Sequence, residues 1–180
     1  MLIDAENSTL LVVDVQERLL PHIHDWQRVL DNAMWLVEVA KRIGVPVIAS
    51  EQYPKGIGPT QADLAALLPP GSVAEKIHFS CVGDDCLSGL PGAERRQVVV
   101  CGTESHVCVL QTVLDLRQQG KEVFVVAEAV GSRDPEHKAL ALERMRRHGI
   151  DVVCREMVAF EWLRRAGTPL FREISQNFLR

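Results

Sequence analysis

The sequence predicts an α/β protein, a three-layer αβα sandwich with a six-stranded parallel sheet. Short apolar segments alternate with longer segments of helical periodicity along the whole chain. Segments such as TLLVVD (9–14) and QVVVCG (97–102) are apolar at nearly every residue rather than at every second one. A strand of this kind is covered on both faces, which is typical of a parallel sheet between two layers of helices.

The predicted elements follow one another in a regular order. Strands are predicted at 9–14, 45–50, 72–76, 97–102, 122–129 and 150–154. Helices are predicted at about 26–43, 62–68, 109–119, 135–148, 157–165 and 170–178. Gly44, Gly120 and Gly149 follow three of these helices, where glycine commonly ends a helix, and Pro135 opens another. Because no repeat or linker interrupts the order, we expect a single domain over residues 1–180.

Composition excludes several classes of partner. The chain has 180 residues, 47% of them apolar and 24% charged, which is ordinary for a soluble globular protein. A formal net charge of −4 gives no reason to expect nucleic acid or an anionic membrane as a partner. The cysteines are odd in number, five, which indicates reduced thiols rather than a disulfide framework. With no signal-peptide pattern and no apolar run of about 20 residues, we expect a cytoplasmic protein.

Three titratable residues stand where predicted apolar runs stop. Asp14 closes the first strand, Lys76 closes the third, and Cys108 follows the fourth at the start of a helical pattern. The carboxyl ends of parallel strands share one edge, where ligands bind in sheets of this type, so these side chains could meet there. Each also has an ordinary structural explanation, as a turn aspartate, a lysine reaching to water and an inert buried thiol.

These three residue types together suit covalent hydrolysis. A thiol at a strand-to-helix junction lies near the positive end of the helix dipole, which favours the nucleophilic thiolate. Cys108 would attack a carbonyl carbon, Asp14 would accept its proton, and Lys76 would hold the carboxylate in place. Backbone N–H groups of the turn GTESHVC (102–108) could bind the developing oxyanion.

Three motifs resemble those of the isochorismatase-like cysteine hydrolase superfamily. They are VVDVQERL near the N-terminus, Lys76 followed by IHFS, and GTESHVCVLQTVLDL, and they occur in family order over nearly the whole chain. The resemblance implies a catalytic triad of Asp14, Lys76 and Cys108 and a six-stranded parallel sheet. It also implies a cis peptide between Thr103 and Glu104 that aims the N–H of Glu104, with that of Cys108, into an oxyanion hole.

The segment after the second strand departs from one branch of this superfamily. Nicotinamidases carry a metal-binding Asp-x-His segment there, whereas this chain reads ASEQYPKGIGPT without a histidine. We therefore expect no metal and no cofactor. The pair His22 and His24 and the pair Cys81 and Cys86 lack further ligands at useful spacing.

The combination of SEQYPKGIG with ESHVCVLQT is most similar to the isochorismatase domain-containing subgroup. That similarity implies that Gln16, Gln52, Tyr53 and Phe79 contact a small-molecule substrate. Packing within the loops is the alternative for each of them.

Three functions are consistent with these residues. The first is a metal-independent cysteine hydrolase of a small amide or related C–N compound. The second is a vinyl-ether hydrolase in which Asp14 protonates the substrate and the thiol of Cys108 takes no part in the reaction. The third is a non-catalytic protein that binds a ligand in the same pocket.

We also expect a homo-oligomer from the resemblance. Apolar residues of the C-terminal segment could form the subunit contact or pack back on the same chain; they are Leu170, Phe171, Ile174, Phe178 and Leu179.

Overall fold

Residues 1–179 are described by a computed structural model, in which six parallel strands form one sheet in the order β3-β2-β1-β4-β5-β6. The strands are β1 (Ser8–Val13), β2 (Val47–Gln52), β3 (Val73–Lys76), β4 (Gln97–Thr103), β5 (Glu122–Gly131) and β6 (Asp151–Val153). The predicted number and direction of the strands are confirmed, and β5 extends two residues beyond its predicted end.

Helices flank the sheet, and all but one of them were predicted. They are α1 (Trp26–Ile43), α2 (Pro54–Ile57), α3 (Ala62–Leu67), α4 (Leu110–Gln118), α5 (Pro135–Arg147), α6 (Arg155–Leu163) and α7 (Pro169–Phe178). The short α2 was not predicted, because its sequence PKGI contains both a proline and a glycine. Within residues 1–179, no helix has the length and apolar character needed to cross a membrane.

The strand order places a switch point between β1 and β4. The chain builds β1, β2 and β3 outward in one direction, then returns to pair β4 with the other side of β1 and continues to β5 and β6. In sheets of this topology, the connections that leave the carboxyl ends of the two central strands run in opposite directions, and ligands bind in the crevice between them. Asp14 directly follows β1, and the segment with Cys108 directly follows β4, so these residues border the crevice.

Apolar side chains fill the space on both faces of the sheet. Leu10 and Val12 of β1 belong to a buried cluster with α1, whereas Leu11 and Val13 belong to a second cluster with α4 and α5. Successive side chains of a strand point to opposite faces, so β1 contributes to both clusters in alternation. This double coverage is the physical reason that the strands are apolar throughout, and it confirms the three-layer arrangement.

The C-terminal helix packs back on the same chain. Ile174 is fully buried, and the ring of Phe178 lies edge-on to Trp35 of α1 with 6.2 Å between ring centroids. The indole N–H of Trp35 also donates to the backbone oxygen of Phe178 at 3.1 Å. For these two apolar residues of the C-terminal segment, packing within the chain is therefore the arrangement observed.

Candidate active site

A buried ion pair lies at the carboxyl edge of the sheet. Nζ of Lys76 is 2.8 Å from Oδ2 of Asp14, and neither side chain is exposed to solvent. Asp14 has a positive φ of 51°, so the chain turns sharply where β1 ends. Its backbone is held from two sides, because its N–H donates to the carbonyl of Ser50 and its carbonyl accepts from the hydroxyl of Thr103.

The ammonium of Lys76 has three acceptors. Besides Asp14, it donates to Oε1 of Gln52 at 2.7 Å and to the backbone oxygen of His78 at 3.3 Å. Burial is the largest single influence and disfavours the charged form, but the Asp14 carboxylate, with smaller contributions from Cys108 and Cys81, raises the pKa of Lys76 above its ordinary value. Lys76 is therefore a permanent positive charge at neutral pH.

The third predicted catalytic residue meets this pair. Cys108 lies in a single π-helical turn, Ser105–Val109, between β4 and α4. Turns of this kind occur frequently at functional sites. Cys108 is 4% exposed, and its thiol lies close enough to Asp14 and Lys76 for both of their charges to shift its pKa. The structure thus brings together Asp14, Lys76 and Cys108, which are distant in sequence.

The electrostatics of the thiol differ from the expectation based on the helix dipole. Burial, together with the negative charge of Asp14, raises the pKa of Cys108, and the positive charge of Lys76 only partly opposes this shift. The shift of the Cys108 pKa is thus opposite to the one that the helix dipole was expected to produce, so the expectation that the site favours the thiolate is wrong. Burial and a nearby carboxylate together have a larger effect on the thiol pKa than the partial charge of a helix terminus.

The peptide between Thr103 and Glu104 also differs from the expectation. No cis peptide bond occurs in residues 1–179, so the predicted cis bond is wrong. The backbone instead changes direction through positive φ angles, 134° at Gly102 and 55° at Glu104. The roles of the Glu104 and Cys108 N–H groups in an oxyanion hole stay predictions.

Gln16 and Gln52, two of the four predicted substrate contacts, are buried and bonded to the protein itself. Nε2 of Gln16 donates to the carbonyls of Gln52 and Gly58 at 3.0 and 2.7 Å, and its Oε1 accepts from the N–H of Gln52 at 2.8 Å. Nε2 of Gln52 donates to the carbonyl of Ile77 at 2.7 Å. Their internal bonds favour a role in organising the site.

The other two predicted contacts, Tyr53 and Phe79, are open to solvent. Tyr53 is 51% exposed directly after β2, and Phe79 is 52% exposed in the loop after β3. The two loops are tied together, because the N–H of Tyr53 donates to the carbonyl of Lys76 at 2.9 Å. Both aromatic side chains are therefore available to a ligand at the carboxyl edge.

Ser50 belongs to the site but was not singled out from the sequence. Its hydroxyl donates to Oδ1 of Asp14 at 2.7 Å. Ser50 and Gln52 are two residues apart in β2, and the alternation of side chains along a strand could have indicated that both face the same side. Among residues 1–179, no group of three or more histidine, cysteine, aspartate or glutamate side chains is arranged to hold a metal ion.

A parallel sheet with a buried carboxylate, ammonium and thiol at its switch point defines an α/β protein with a hydrolase-like site. Residues 8–157 match the isochorismatase domain, and the chain belongs to this family. It therefore has the fold of the isochorismatase-family hydrolases.

Individual relatives agree with this assignment over nearly the whole chain. The chain is 35% identical to isochorismatase domain-containing protein 2 of Danio rerio over 176 residues, covering 97% of this chain and 88% of that protein. The structure of the MAR1 ribonuclease of Caenorhabditis elegans superimposes with a TM-score of 0.89 at 30% identity, covering 100% of this chain and 93% of that one. YcaC of Escherichia coli, an octameric hydrolase of unknown specificity, superimposes with a TM-score of 0.86 at 24% identity, covering 92% of this chain and 83% of that one.

Proposed function

We propose that the protein is a metal-independent cysteine hydrolase that acts on a small amide or related C–N compound. The observation that carries this proposal is the position of the buried Cys108 thiol beside Asp14, which is itself paired with Lys76. A nucleophile in contact with a base, and a third group that orients the base, is the arrangement that covalent catalysis requires.

In the first step, Asp14 takes the thiol proton while the sulfur of Cys108 attacks the carbonyl carbon of the substrate. The electron pair of the C=O bond moves to oxygen, and the N–H groups of Glu104 and Cys108 stabilise the oxyanion. When this intermediate collapses, the C–N bond breaks and Asp14 returns the proton to the departing nitrogen. Water, deprotonated by Asp14, then attacks the thioester and releases the acid and the free thiol.

The resting protonation state suits this sequence of steps. Because burial and the charge of Asp14 raise the pKa of Cys108, the neutral thiol is the favoured resting form. Transfer of that proton to Asp14 leaves a thiolate beside the Lys76 ammonium, so one buried ion pair replaces another. The buried site keeps the same net charge, which limits the electrostatic cost of forming the nucleophile.

A small substrate is favoured over a polymer. Lys76 is buried and its ammonium contacts Asp14, Gln52 and His78, so it is not available to bind a phosphate chain. The formal net charge of −4 also opposes nonspecific attraction of a polyanion. Tyr53 and Phe79 supply exposed aromatic surface for an uncharged or apolar part of the substrate.

The proposal is tested by a screen of small amides, esters, a vinyl ether and an RNA substrate with the wild type, Cys108→Ala and Asp14→Asn. We expect amide turnover by the wild type and none by either variant. Activity that survives Cys108→Ala but is lost in Asp14→Asn would select the vinyl-ether type of chemistry. No turnover, with a metabolite that raises the Tm of wild type and Cys108→Ala alike, would select a binding protein.

We further propose a cytoplasmic homo-oligomer. Large exposed apolar side chains such as Ile77, Met157 and Phe160 favour contact with another copy. Sedimentation equilibrium measures the number of subunits, and a monomer at micromolar concentration would contradict this proposal.

A further inference from the structure

Strand β2 lies between the two strands that carry the ion pair. Its neighbours are β1, which leads into Asp14, and β3, which ends at Lys76. The register pairs Ser50 with Val13 and Gln52 with Lys76. Since residues two apart in a strand point to the same face, Ser50 and Gln52 both reach the space between the charged groups.

Ser50 holds the carboxylate. Its hydroxyl proton is donated to Oδ1 of Asp14, while Oδ2 of the same carboxylate accepts from Lys76. Each oxygen of Asp14 thus has its own donor, which fixes the rotation of the carboxylate.

Gln52 holds the ammonium, and its own orientation is fixed. The amide nitrogen donates to the carbonyl of Ile77, so the amide oxygen must face Lys76. The backbone of Gln52 is held in turn by the side chain of Gln16. An ammonium has three N–H donors, and Asp14, Gln52 and His78 accept all three, so none remains for a substrate.

We infer that Ser50 and Gln52 are positioning residues that fix Asp14 and Lys76 as one unit, and that Gln52 acts on the reaction through Lys76 rather than by contact with substrate. This inference rests on the proposed function, because the roles of Asp14 and Lys76 in hydrolysis are part of that proposal. Its consequence for the thiol can be measured without any turnover, because Lys76 acts electrostatically on Cys108.

The groups that titrate around Lys76 are few. Asp14, Cys81 and Cys108 all favour its charged form, and Cys86 contacts Cys81 from the following loop. If Gln52 is replaced by leucine, one ammonium N–H loses its acceptor in a buried place. The charged form of Lys76 is then disfavoured, and the position of its ammonium is less fixed. Lys76 therefore stabilises the Cys108 thiolate less than in the wild type.

The experiment measures alkylation of Cys108 by iodoacetamide between pH 7 and 10, with the modified peptide identified by mass spectrometry. We expect Gln52→Leu to slow the reaction by about tenfold, the effect of losing one hydrogen bond to a charged group. Gln52→Glu is the second variant. It keeps the shape of the side chain and, once ionised, draws the ammonium away from Cys108, so it also slows alkylation.

Glu51→Gln is the matched control. Glu51 lies between the two residues in β2, but its carboxylate accepts from Thr60 rather than from the ion pair. We expect its alkylation profile to equal that of the wild type. Ser50→Ala removes the donor to Asp14 and leaves the carboxylate free to rotate, so we expect kcat for amide turnover to fall by about tenfold while KM stays unchanged.

Several outcomes would overturn the inference. Unchanged or faster alkylation in both Gln52 variants, with an increase only in KM for an amide, would make Gln52 a substrate contact. An equal effect in Glu51→Gln would mean that any change in β2 disturbs the thiol. Slower alkylation in both Gln52 variants of a protein that hydrolyses no amide would support the positioning role and refute the proposed hydrolase.

Discussion

Lys76 and Asp14 form a salt bridge of 2.8 Å in which neither side chain is exposed. β2 lies between the strands that lead to these residues, and the two side chains meet across its end. Burial of a single charge without a partner is costly, so each member of the pair requires the other.

Lys76→Met should destabilise the protein by about 3–5 kcal/mol, because it leaves the carboxylate of Asp14 buried and unpaired. Urea unfolding at pH 7 measures the change. The double variant Asp14→Asn with Lys76→Met should regain much of that loss, since it removes both charges. Strictly additive losses in the two single variants and the double variant would contradict a mutual dependence of the pair.

Asp14→Asn should abolish turnover and yet make Cys108 more reactive toward iodoacetamide at pH 7. Burial and the Asp14 carboxylate raise the pKa of Cys108 and Lys76 opposes them, so removal of the carboxylate takes away one of the two raising influences and lowers this pKa. Alkylation should therefore begin at lower pH than in the wild type. Asp151→Asn, at the exposed start of β6, is the control and should have no effect. Slower alkylation in Asp14→Asn would reverse the proposed sign of the interaction.

Cys108→Ala should remove turnover and lower the melting temperature only as far as the lost packing of one buried sulfur requires. Cys101 offers a matched comparison, because it is another buried cysteine, in β4, and burial alone raises its pKa to about 12. Cys101→Ala should retain activity and lose on the order of 1 kcal/mol of stability through lost packing. Activity assays and thermal melts of both variants separate catalysis from packing. Equal loss of activity in the two would argue against a special role for Cys108.

Gly102→Ala should destabilise the protein severely, by more than about 4 kcal/mol. Gly102 has a φ of 134°, and an added Cβ would lie 2.1 Å from the carbonyl oxygen of Val13, the residue before Asp14. The variant should therefore disturb the site as well as the fold. Gly44→Ala is the control, because Gly44 also has a positive φ, 91°, but nothing lies within 4 Å of the added atom. Thermal or urea unfolding of the two variants measures the difference.

The residues that bear charge or a thiol at strand ends could be found from the sequence. Asp14, Lys76 and Cys108 each follow an apolar run, and parallel strands deliver such positions to one edge. The structure does bring them together. The roles of Gln16 and Gln52 could not be predicted in the same way, because their partners are backbone carbonyls of loops far along the chain.

Two expectations about the turn before α4 were wrong for physical reasons. The pKa of Cys108 depends on its burial and on a nearby carboxylate that follows another strand, and a local sequence pattern contains neither. The path of the chain from β4 into the π-helical turn depends on positive φ angles at Gly102 and Glu104, set by close packing against β1. The local sequence indicates which residues favour a turn, but it does not determine the backbone angles that the turn adopts.

The order of strands and helices, their parallel arrangement and the family were determined by the amino-acid sequence alone. Apolar periodicity is a property of neighbouring residues in the sequence. A strand covered on both faces is apolar throughout, whereas a strand covered on one face is apolar at every second residue. Only the tertiary structure decided that Asp14 pairs with Lys76 and that Gln52 faces Lys76. It also decided the direction in which the pKa of Cys108 is shifted. Those properties depend on distances of a few ångströms between segments up to 94 residues apart, as for Asp14 and Cys108, and electrostatic interactions change steeply over such distances.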